Sequence, residues 1–485
     1  MNMKTAPLLR RFICRLALAL LGWSCASTVS LVHADEVRYT FAELGADWTK
    51  PAFDAGDWKT APDLPALTQR WQETSEPALW VRLTKDLLFE QINNSYFRVV
   101  HDGPVEIFVN GKSKEHNDKP APQGRDYPIS PKREEVIGRN VFGLHFTAGK
   151  GARDIRVEHV VGEWVPVEER IVRSNPIIRE PTRDAQVCLG PDGRYYLAAT
   201  SGERDFFFGP KYWLQNQGVM LRRSEDLVVW ENLGYVWNFE RDGTWNRDTG
   251  TIAGRGPARG IFAPEISYFN HQFWLPYSVN HTTPKHSFGI GLLHADKPEG
   301  PWQEVSPEQP MSEGFDPSLF RDDDGKVYLL RNGCLIARLK DDLSGLAEPF
   351  RALVPSNFPR VGYEGPCMFK YKGRYYLAAA EWFVHRDGPK SSEVTDNPVS
   401  TEHESYDVAV ASADHINGPY GPRHLAIRYG GHNGFFPGKD GGLRATVWNI
   451  PDSDHQVTIA RVEITPEGVL RPVLEDCLPP TPAGR

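Results

Sequence analysis

The sequence predicts an all-β chain, a β-sandwich over residues 35–170 followed by a five-bladed β-propeller over residues 171–478. Three observations carry this expectation. A hairpin phrase recurs five times after residue 175, as Gly190-Pro191-Asp192-Gly193-Arg194-Tyr195-Tyr196-Leu197, Phe269-Asn270-His271-Gln272-Phe273-Trp274-Leu275, Asp323-Asp324-Gly325-Lys326-Val327-Tyr328-Leu329, Tyr371-Lys372-Gly373-Arg374-Tyr375-Tyr376-Leu377 and Lys439-Asp440-Gly441-Gly442-Leu443-Arg444-Ala445. An outer-strand phrase alternates with it, as Ser224-Glu225-Asp226-Leu227-Val228-Val229-Trp230, Ala295-Asp296-Lys297-Pro298-Glu299-Gly300-Pro301-Trp302 and Ala413-Asp414-His415-Ile416-Asn417-Gly418-Pro419-Tyr420. No long segment carries the 3.6-residue apolar period of a helix. Two phrases in fixed order, repeating roughly every 50 to 80 residues, fit four-stranded blades with insertions; a sandwich would not repeat both.

The chain opens with Lys4, Arg10, Arg11 and Arg15, an apolar stretch from Leu16 to Leu21, and Val32-His33-Ala34 before Asp35. This pattern reads as a signal peptide over residues 1–34, cleaved after Ala34, and places the mature protein outside the cytoplasm, secreted or periplasmic. Trp23 stands two residues before Cys25, where lipidation requires a small residue. No later apolar run is long enough to span a bilayer, so no membrane span is expected. The following 130 or so residues carry short β-like runs, among them Ala78-Leu79-Trp80-Val81-Arg82-Leu83, Tyr96-Phe97-Arg98-Val99-Val100, Val105-Glu106-Ile107-Phe108-Val109 and Val141-Phe142-Gly143-Leu144-His145-Phe146. Asn110-Gly111 is a strong hairpin signal after the third of these.

Removing residues 1–34 takes away four bases and no acids, leaving 51 Lys plus Arg against 63 Asp plus Glu, a net charge of −12. Nucleic acids and other polyanions are disfavoured as partners. Cys14 and Cys25 leave with the leader; Cys188, Cys334, Cys367 and Cys477 remain without a C-x-x-C pair, so neither structural zinc nor a disulfide framework is expected.

Three acidic phrases precede hairpin repeats: Arg183-Asp184-Ala185-Gln186-Val187, Phe315-Asp316-Pro317-Ser318-Leu319-Phe320 and Tyr363-Glu364-Gly365-Pro366. In a propeller the innermost strand of each blade lines the axis, so these carboxyls converge on one central pocket. Glycoside hydrolysis needs such a set: one carboxylate as base toward water and one protonated carboxyl for the leaving oxygen. A third can hold the acid's pKa and orientation, because gathered like charges raise one another's pKa. Glu364, with the longest side chain, suits the acid. Singly, each residue reads as a turn former or an exposed loop acid; three in register across separate repeats favour catalysis.

These phrases, with Phe262-Ala263-Pro264-Glu265-Ile266 before the second hairpin and Gly431-His432-Asn433 before the fifth, resemble glycoside hydrolase family 43 over about residues 175–475. The resemblance implies a five-bladed propeller and single-displacement, inverting hydrolysis, with Asp184 as general base, Asp316 as the pKa-tuning and orienting carboxylate and Glu364 as general acid. Inversion sets the base and acid carboxyls roughly 6.5 to 9.5 Å apart. Two departures stand out: Ala185 where relatives carry Pro after the base, and Glu265 where many carry Asp. The N-terminal part resembles the galactose-binding-like jelly rolls that precede many glycosidase domains, through Phe53 to Trp58 and the Val105 to Gly111 hairpin. Such a domain braces its neighbour or binds sugar, and bracing is the expected role.

Around the acids, Glu265 reads as a substrate contact or a structural residue, and Trp213, Trp237, Trp245 and Trp382 as sugar-stacking candidates. Trp230 and Trp302, in the outer phrases, read as core. Arg444 reads as a ligand for sugar hydroxyls or a blade-structural cation. His432, on a glycine-rich approach to blade five, is expected on the axis and supporting the pocket. In the resembling family a calcium ion sometimes lies near this histidine; imidazole is a poor ligand for so hard a cation, so calcium in the axis is optional and no cofactor is required. Zinc-ligand spacing is missing, and Arg255 to Arg259 lacks the strand, lysine and helix of a phosphate cradle.

The expected protein is an exported, inverting, exo-acting glycosidase releasing terminal α-L-arabinofuranose, β-D-xylose or β-D-galactose from plant or algal polysaccharides. Insertions at Phe206 to Gly218, Asp242 to Gly260 and His385 to Ser405 would wall the funnel into a pocket. Three rivals stay open at this stage: an enzyme of the related family 117 releasing anhydrogalactose, a propeller that only binds carbohydrate, and a retaining enzyme like the fructan-cleaving ones, whose Asn-Asp-Pro-Asn phrase is missing here.

Overall fold

The computed structural model describes residues 28–31, 36–129, 138–149, 153–180, 182–201, 216–247, 251–252, 256–257, 260–283, 286–385, 404–451 and 456–479. Strands dominate, as the alternating and fully apolar runs require. The N-terminal part is two antiparallel sheets. One has the order Lys59–Ala61, Glu36–Thr40, Ala78–Leu87, Gly138–Thr147, Val105–Val109, Lys112–Asn117; the other the order Thr28–Leu31, Ile155–Val161, Ser95–His101, Ala121–Pro128. Val37, Val81, Ile107 and Leu144 of the first share one core with Phe97, Val99, Ile155 and Val157 of the second, which makes the pair a sandwich. The Asn110-Gly111 turn forms with φ of 49° and 92°, the left-handed pair a two-residue hairpin needs. A helix, Leu64–Gln72, starts where Asp63 accepts a hydrogen bond from the Ala66 amide at 2.8 Å, and buries Leu67 and Trp71 in the sandwich core. The expected leader, residues 1–34, lies outside the described residues except for Thr28–Leu31, which pair in register with Glu158 to Val161. Cleavage after Ala34 would leave that sheet with three strands.

Among the described residues after 181 the chain forms five antiparallel blades in succession, with a short ribbon of Thr251–Ile252 and Gly256–Pro257 between the first two. Blades one, three, four and five each run in sequence order through four strands. Blade one comprises Thr182–Leu189, Tyr195–Ser201, Gly218–Ser224 and Glu231–Asn238; blade three Ser318–Arg321, Val327–Arg331, Leu335–Arg338 and Arg351–Ala352. Blade four comprises Glu364–Tyr371, Arg374–Val384, Glu404–Ala413 and His424–Ile427; blade five Phe435–Pro437, Leu443–Val447, Thr458–Ile464 and Leu470–Pro472. Blade two keeps this order with its inner strand split into Ile261–Phe262 and Ser267–Phe269 and its outer strand into Gln303–Glu304 and Ser312–Glu313. Each repeated hairpin phrase is the turn between a blade's first two strands. In three of them an Asp carboxylate caps the turn, accepting from the amide two residues on: Asp192 from Arg194, Asp324 from Lys326 and Asp440 from Gly442. The ring closes where blade five meets blade one: Thr446 Oγ1 donates to the Ala185 carbonyl at 2.6 Å and Gln186 Nε2 to that of Asn433 at 3.0 Å.

The sandwich is bolted to blade four. Asn93 exchanges two hydrogen bonds with the Val384 backbone, and the buried Arg423 donates to the Asn93 carbonyl at 2.8 Å and the Val361 carbonyl at 2.9 Å while stacking on Phe358. Glu381, buried beneath, accepts a two-pronged contact from Arg360 at 2.8 and 3.1 Å.

Candidate active site

The inner strands share one backbone device. Each blade has a left-handed residue at or just before the head of its first strand: Asp184 (φ 57°), Ala263 (42°), Asp316 (53°), Gly365 (60°) and Gly431 (66°). For the three non-glycine members this conformation costs about 1 to 2 kcal/mol apiece, and it swings the adjoining side chains toward the axis. Glycine is required at 365, where an added Cβ would lie 2.5 Å from the His432 ring. Two residues after each left-handed position stands a buried side chain, Gln186, Glu265, Ser318, Cys367 and Asn433. The axis is thus built in two layers, one carrying Asp184 and Asp316 with Glu364 beside Gly365, and a second made of these five side chains.

The structure brings together Asp184, Asp316, Glu364 and His432. His432 Nδ1 stands 3.5 Å from Asp184 Oδ1 and 3.6 Å from Asp316 Oδ2. These are proximities rather than ion pairs, because burial holds the imidazole below its usual pKa against the pull of Asp184 and Glu364. Asp316 Oδ2 accepts from the Gly365 amide at 3.0 Å, so it anchors the backbone that carries Glu364. Its pKa is driven well above the ordinary aspartate value by burial, then by the charges of Glu364 and Asp184; only the Gly365 amide and Arg183 oppose this. Interacting carboxyls share their protons, so the proton held near neutral pH belongs to the cluster. Arg183 itself is turned onto the Trp448 ring, 4.5 Å from its centroid.

Two supports were not legible in the sequence. Thr200 Oγ1 donates to Asp184 Oδ2 at 2.7 Å and accepts from the Ala263 amide at 2.8 Å. The amide fixes the hydroxyl's direction, so Asp184 is held as an acceptor. Tyr406 donates to Glu364 Oε1 at 2.6 Å. Thr200 faces Arg183 in strand register and Tyr406 lies in the third strand of blade four; neither has a local motif, and only the folded register reveals them.

Other expectations are corrected. Arg444 does not face the acids: it forms a two-pronged pair with Asp440, 2.8 Å on each prong, within its own hairpin at the far end of blade five. Trp382 and Trp237 are buried and offer no face to a sugar; Trp382 backs the Tyr406 ring at 4.9 Å. Trp245 is half-buried and lies parallel to Tyr277 in blade two, with no contact to the carboxyls among the described residues. Glu265 belongs to the second axial layer, accepting from the Leu319 amide at 3.2 Å, and burial pushes its pKa up to about 8; this favours the structural reading over substrate contact. Trp302 is core between blades one and two, and Trp230 packs against a separate core that includes Leu197 and Trp448, as expected. Aromatic rings that the sequence alone did not single out, Phe262, Phe288 and Phe315, form a half-buried row, the first pair edge-to-face and the second tilted, that ends at Phe315 next to Asp316. Trp213 and most of the three expected wall insertions lie outside the described residues.

A family model for glycosyl hydrolases family 43 matches residues 173–470, the whole propeller. The chain belongs to that family. Among curated proteins, a xylan 1,3-beta-xylosidase of a Vibrio species is 30% identical over 269 residues, 51% of this chain and 41% of that protein. A xylosidase/arabinosidase of Butyrivibrio fibrisolvens is 30% identical over 229 residues, 44% of this chain and 39% of that protein. The chain thus spans about four-tenths of the length of these family-43 relatives. A beta-D-galactofuranosidase of Aspergillus niger is 27% identical over 275 residues, 52% of this chain and 72% of that protein. Among solved structures, a family-43 enzyme from Xanthomonas citri complexed with xylose matches with 21% identity and a TM-score of 0.47, over 64% of this chain and 97% of its own.

Proposed function

We propose that this family-43 protein is an inverting glycoside hydrolase that removes terminal sugars from exported polysaccharide or oligosaccharide substrates. The observation that carries the proposal is the convergence of three carboxyl groups from blades one, three and four on one axial pocket. Asp184, kept an acceptor by Thr200, takes a proton from a water as that water attacks the anomeric carbon. Glu364 gives its proton to the leaving oxygen as the glycosidic bond breaks. Asp316 holds the Gly365 amide and keeps a proton within the cluster; neutral His432 fills the axis beneath. One displacement leaves the anomeric centre inverted. The names of the relatives favour a terminal β-xylose or α-L-arabinofuranose, with β-galactose as the remaining option, and the leader-like N-terminus supports action outside the cytoplasm.

Calcium enters no step. Among the described residues no group of three or more His, Cys, Asp or Glu side chains is arranged to hold a metal. Nor is any described helix long and apolar enough to cross a membrane.

The test is hydrolysis of nitrophenyl α-L-arabinofuranoside, β-D-xyloside and β-D-galactoside by wild type, Asp184→Asn and Glu364→Gln, with proton magnetic resonance of the first-formed anomer. Cleavage of one glycoside, with inversion and loss in Asp184→Asn, is expected. Retention would move the site to a double displacement. Silence across the panel together with tight sugar binding would make it a binding propeller, and silence relieved by agar oligosaccharides would make it an anhydrogalactosidase.

A further inference from the structure

We propose that Tyr406 is the positioning residue of the general acid: its hydroxyl occupies one oxygen of Glu364, so that the transferable proton resides on the other, facing the leaving group. The inference rests on the reading of Glu364 as the acid.

The terminal torsion of a glutamate is broad and nearly two-fold, so its two oxygens exchange readily unless something outside the side chain distinguishes them. Here Tyr406 makes the distinction. Its hydroxyl lies 2.6 Å from Oε1 as a donor, and a hydrogen already pointing at Oε1 leaves Oε2 as the oxygen able to carry the proton. The tyrosine is itself immobilised. It is 1% exposed, its ring lies 4.9 Å from Trp382 and 6.1 Å from Trp448, and its carbonyl accepts from the Gly431 amide at 3.0 Å and from Asn449 Nδ2 at 3.2 Å. The Gly431 bond ties the same residue to the loop that carries His432, and the Asn449 bond ties it to the end of the second strand of blade five. Trp382, buried and so unable to stack on sugar, thereby acquires a role in holding Tyr406.

A donor on a carboxylate stabilises the ionised form more than the neutral one. Loss of the hydroxyl should remove the distinction between the two oxygens and disturb proton delivery, in a cluster whose other members are Asp184 and Arg183 of blade one, Asp316 of blade three and His432 of blade five. The experiment uses the full chain and the glycoside it cleaves, prepared with an activated dinitrophenyl leaving group and with an unactivated alkyl one. Tyr406→Phe is expected to lower kcat/KM by about 10- to 100-fold on the alkyl glycoside, which depends on protonation, and by less than about threefold on the dinitrophenyl one. Its pH profile should also depart from that of wild type. Glu364→Gln, run alongside, should show the same selectivity more strongly. If Glu364→Gln shows no dependence on leaving group, the assignment of the acid fails. If Glu364→Gln is selective while Tyr406→Phe matches wild type on both glycosides and in pH profile, the assignment stands and the role of Tyr406 is overturned. Should the Phe variant not fold, Trp382→Leu, which removes the ring behind Tyr406 and leaves Glu364 untouched, must show the selective loss at reduced size; wild-type behaviour there also overturns the proposal.

Discussion

Asp316 in the propeller axis and Glu381 where sandwich and propeller meet are both buried acids, yet their ionisation is pushed in opposite directions. Burial raises both. At Glu381 the guanidinium groups of Arg360 and Arg423 overcome it and hold the carboxylate below the usual glutamate range. At Asp316 the next influences are Glu364 and Asp184, which raise it further. The same contrast runs through the surroundings. His385, beside Asp407 at 2.6 Å and Glu169 at 3.0 Å, is raised to about 9, whereas His432, beside the axial acids, is lowered. Among the described residues, the fold pairs its acids closely with cations where sandwich and propeller meet, and gathers acids of like charge, Asp184 and Asp316 on left-handed backbone, in the axis. Gathered like charge is what stability alone would remove, and what acid–base chemistry requires.

The largest effect expected from this contrast is catalytic. Asp184→Asn keeps the hydrogen bond with Thr200 within reach but abolishes the base; kcat/KM should fall by about 10³-fold or more on every glycoside cleaved, while the thermal midpoint changes little. Steady-state kinetics beside a melting curve check both halves. At the matched region the effect should be the reverse. Arg423→Met leaves Glu381 with Arg360 alone and takes the donor from the Asn93 and Val361 carbonyls; it is expected to cost about 2 to 4 kcal/mol in denaturant unfolding, with kcat on the surviving folded fraction close to wild type.

A smaller effect sharpens the picture within the axis. Glu265 is raised in the folded state to about 8, so its contribution to stability is complete below the ordinary glutamate pKa and is lost as pH rises toward 8. Glu265→Gln should flatten the fall in melting temperature between about pH 5 and 8, measured as the difference between the two proteins across that window. Smallest of all is Arg444→Ala. Its pair with the exposed Asp440 belongs to the surface class worth about 0 to 1 kcal/mol, and kcat/KM should stay within about twofold of wild type. A large loss of sugar affinity would return Arg444 to the pocket.

Much of this was legible in the sequence, for physical reasons that differ by element. The hairpin phrases announce themselves because Asp-Gly and Lys-Gly turns need left-handed residues, seen at Gly193, Gly325, Gly373 and Gly441, and because apolar residues flank them on both strands. The acids announce themselves because they sit at equivalent places in successive repeats. Trp382 was misread because the strand Arg374–Val384 is buried on both faces after Arg374; no alternation then says which way a side chain points. Arg444 was misread although Asp440 lies four residues before it, a spacing that brings the pair together across the hairpin. Thr200 and Tyr406 have no signature at all, since their partners lie 16 and 42 residues away. Support of this kind depends on strand register, which sequence pattern constrains least.

The most direct test of the central contrast is Asp316→Asn, assayed for hydrolysis and thermal stability in one preparation. The amide still accepts from Gly365 but cannot ionise. The raised pKa means that wild type loses stability as pH climbs past the ordinary aspartate value. The variant should therefore melt higher than wild type at pH 7, converge with it near the ordinary aspartate pKa, and hydrolyse its glycoside far more slowly. A variant that melts lower at pH 7 and keeps wild-type activity would contradict the account.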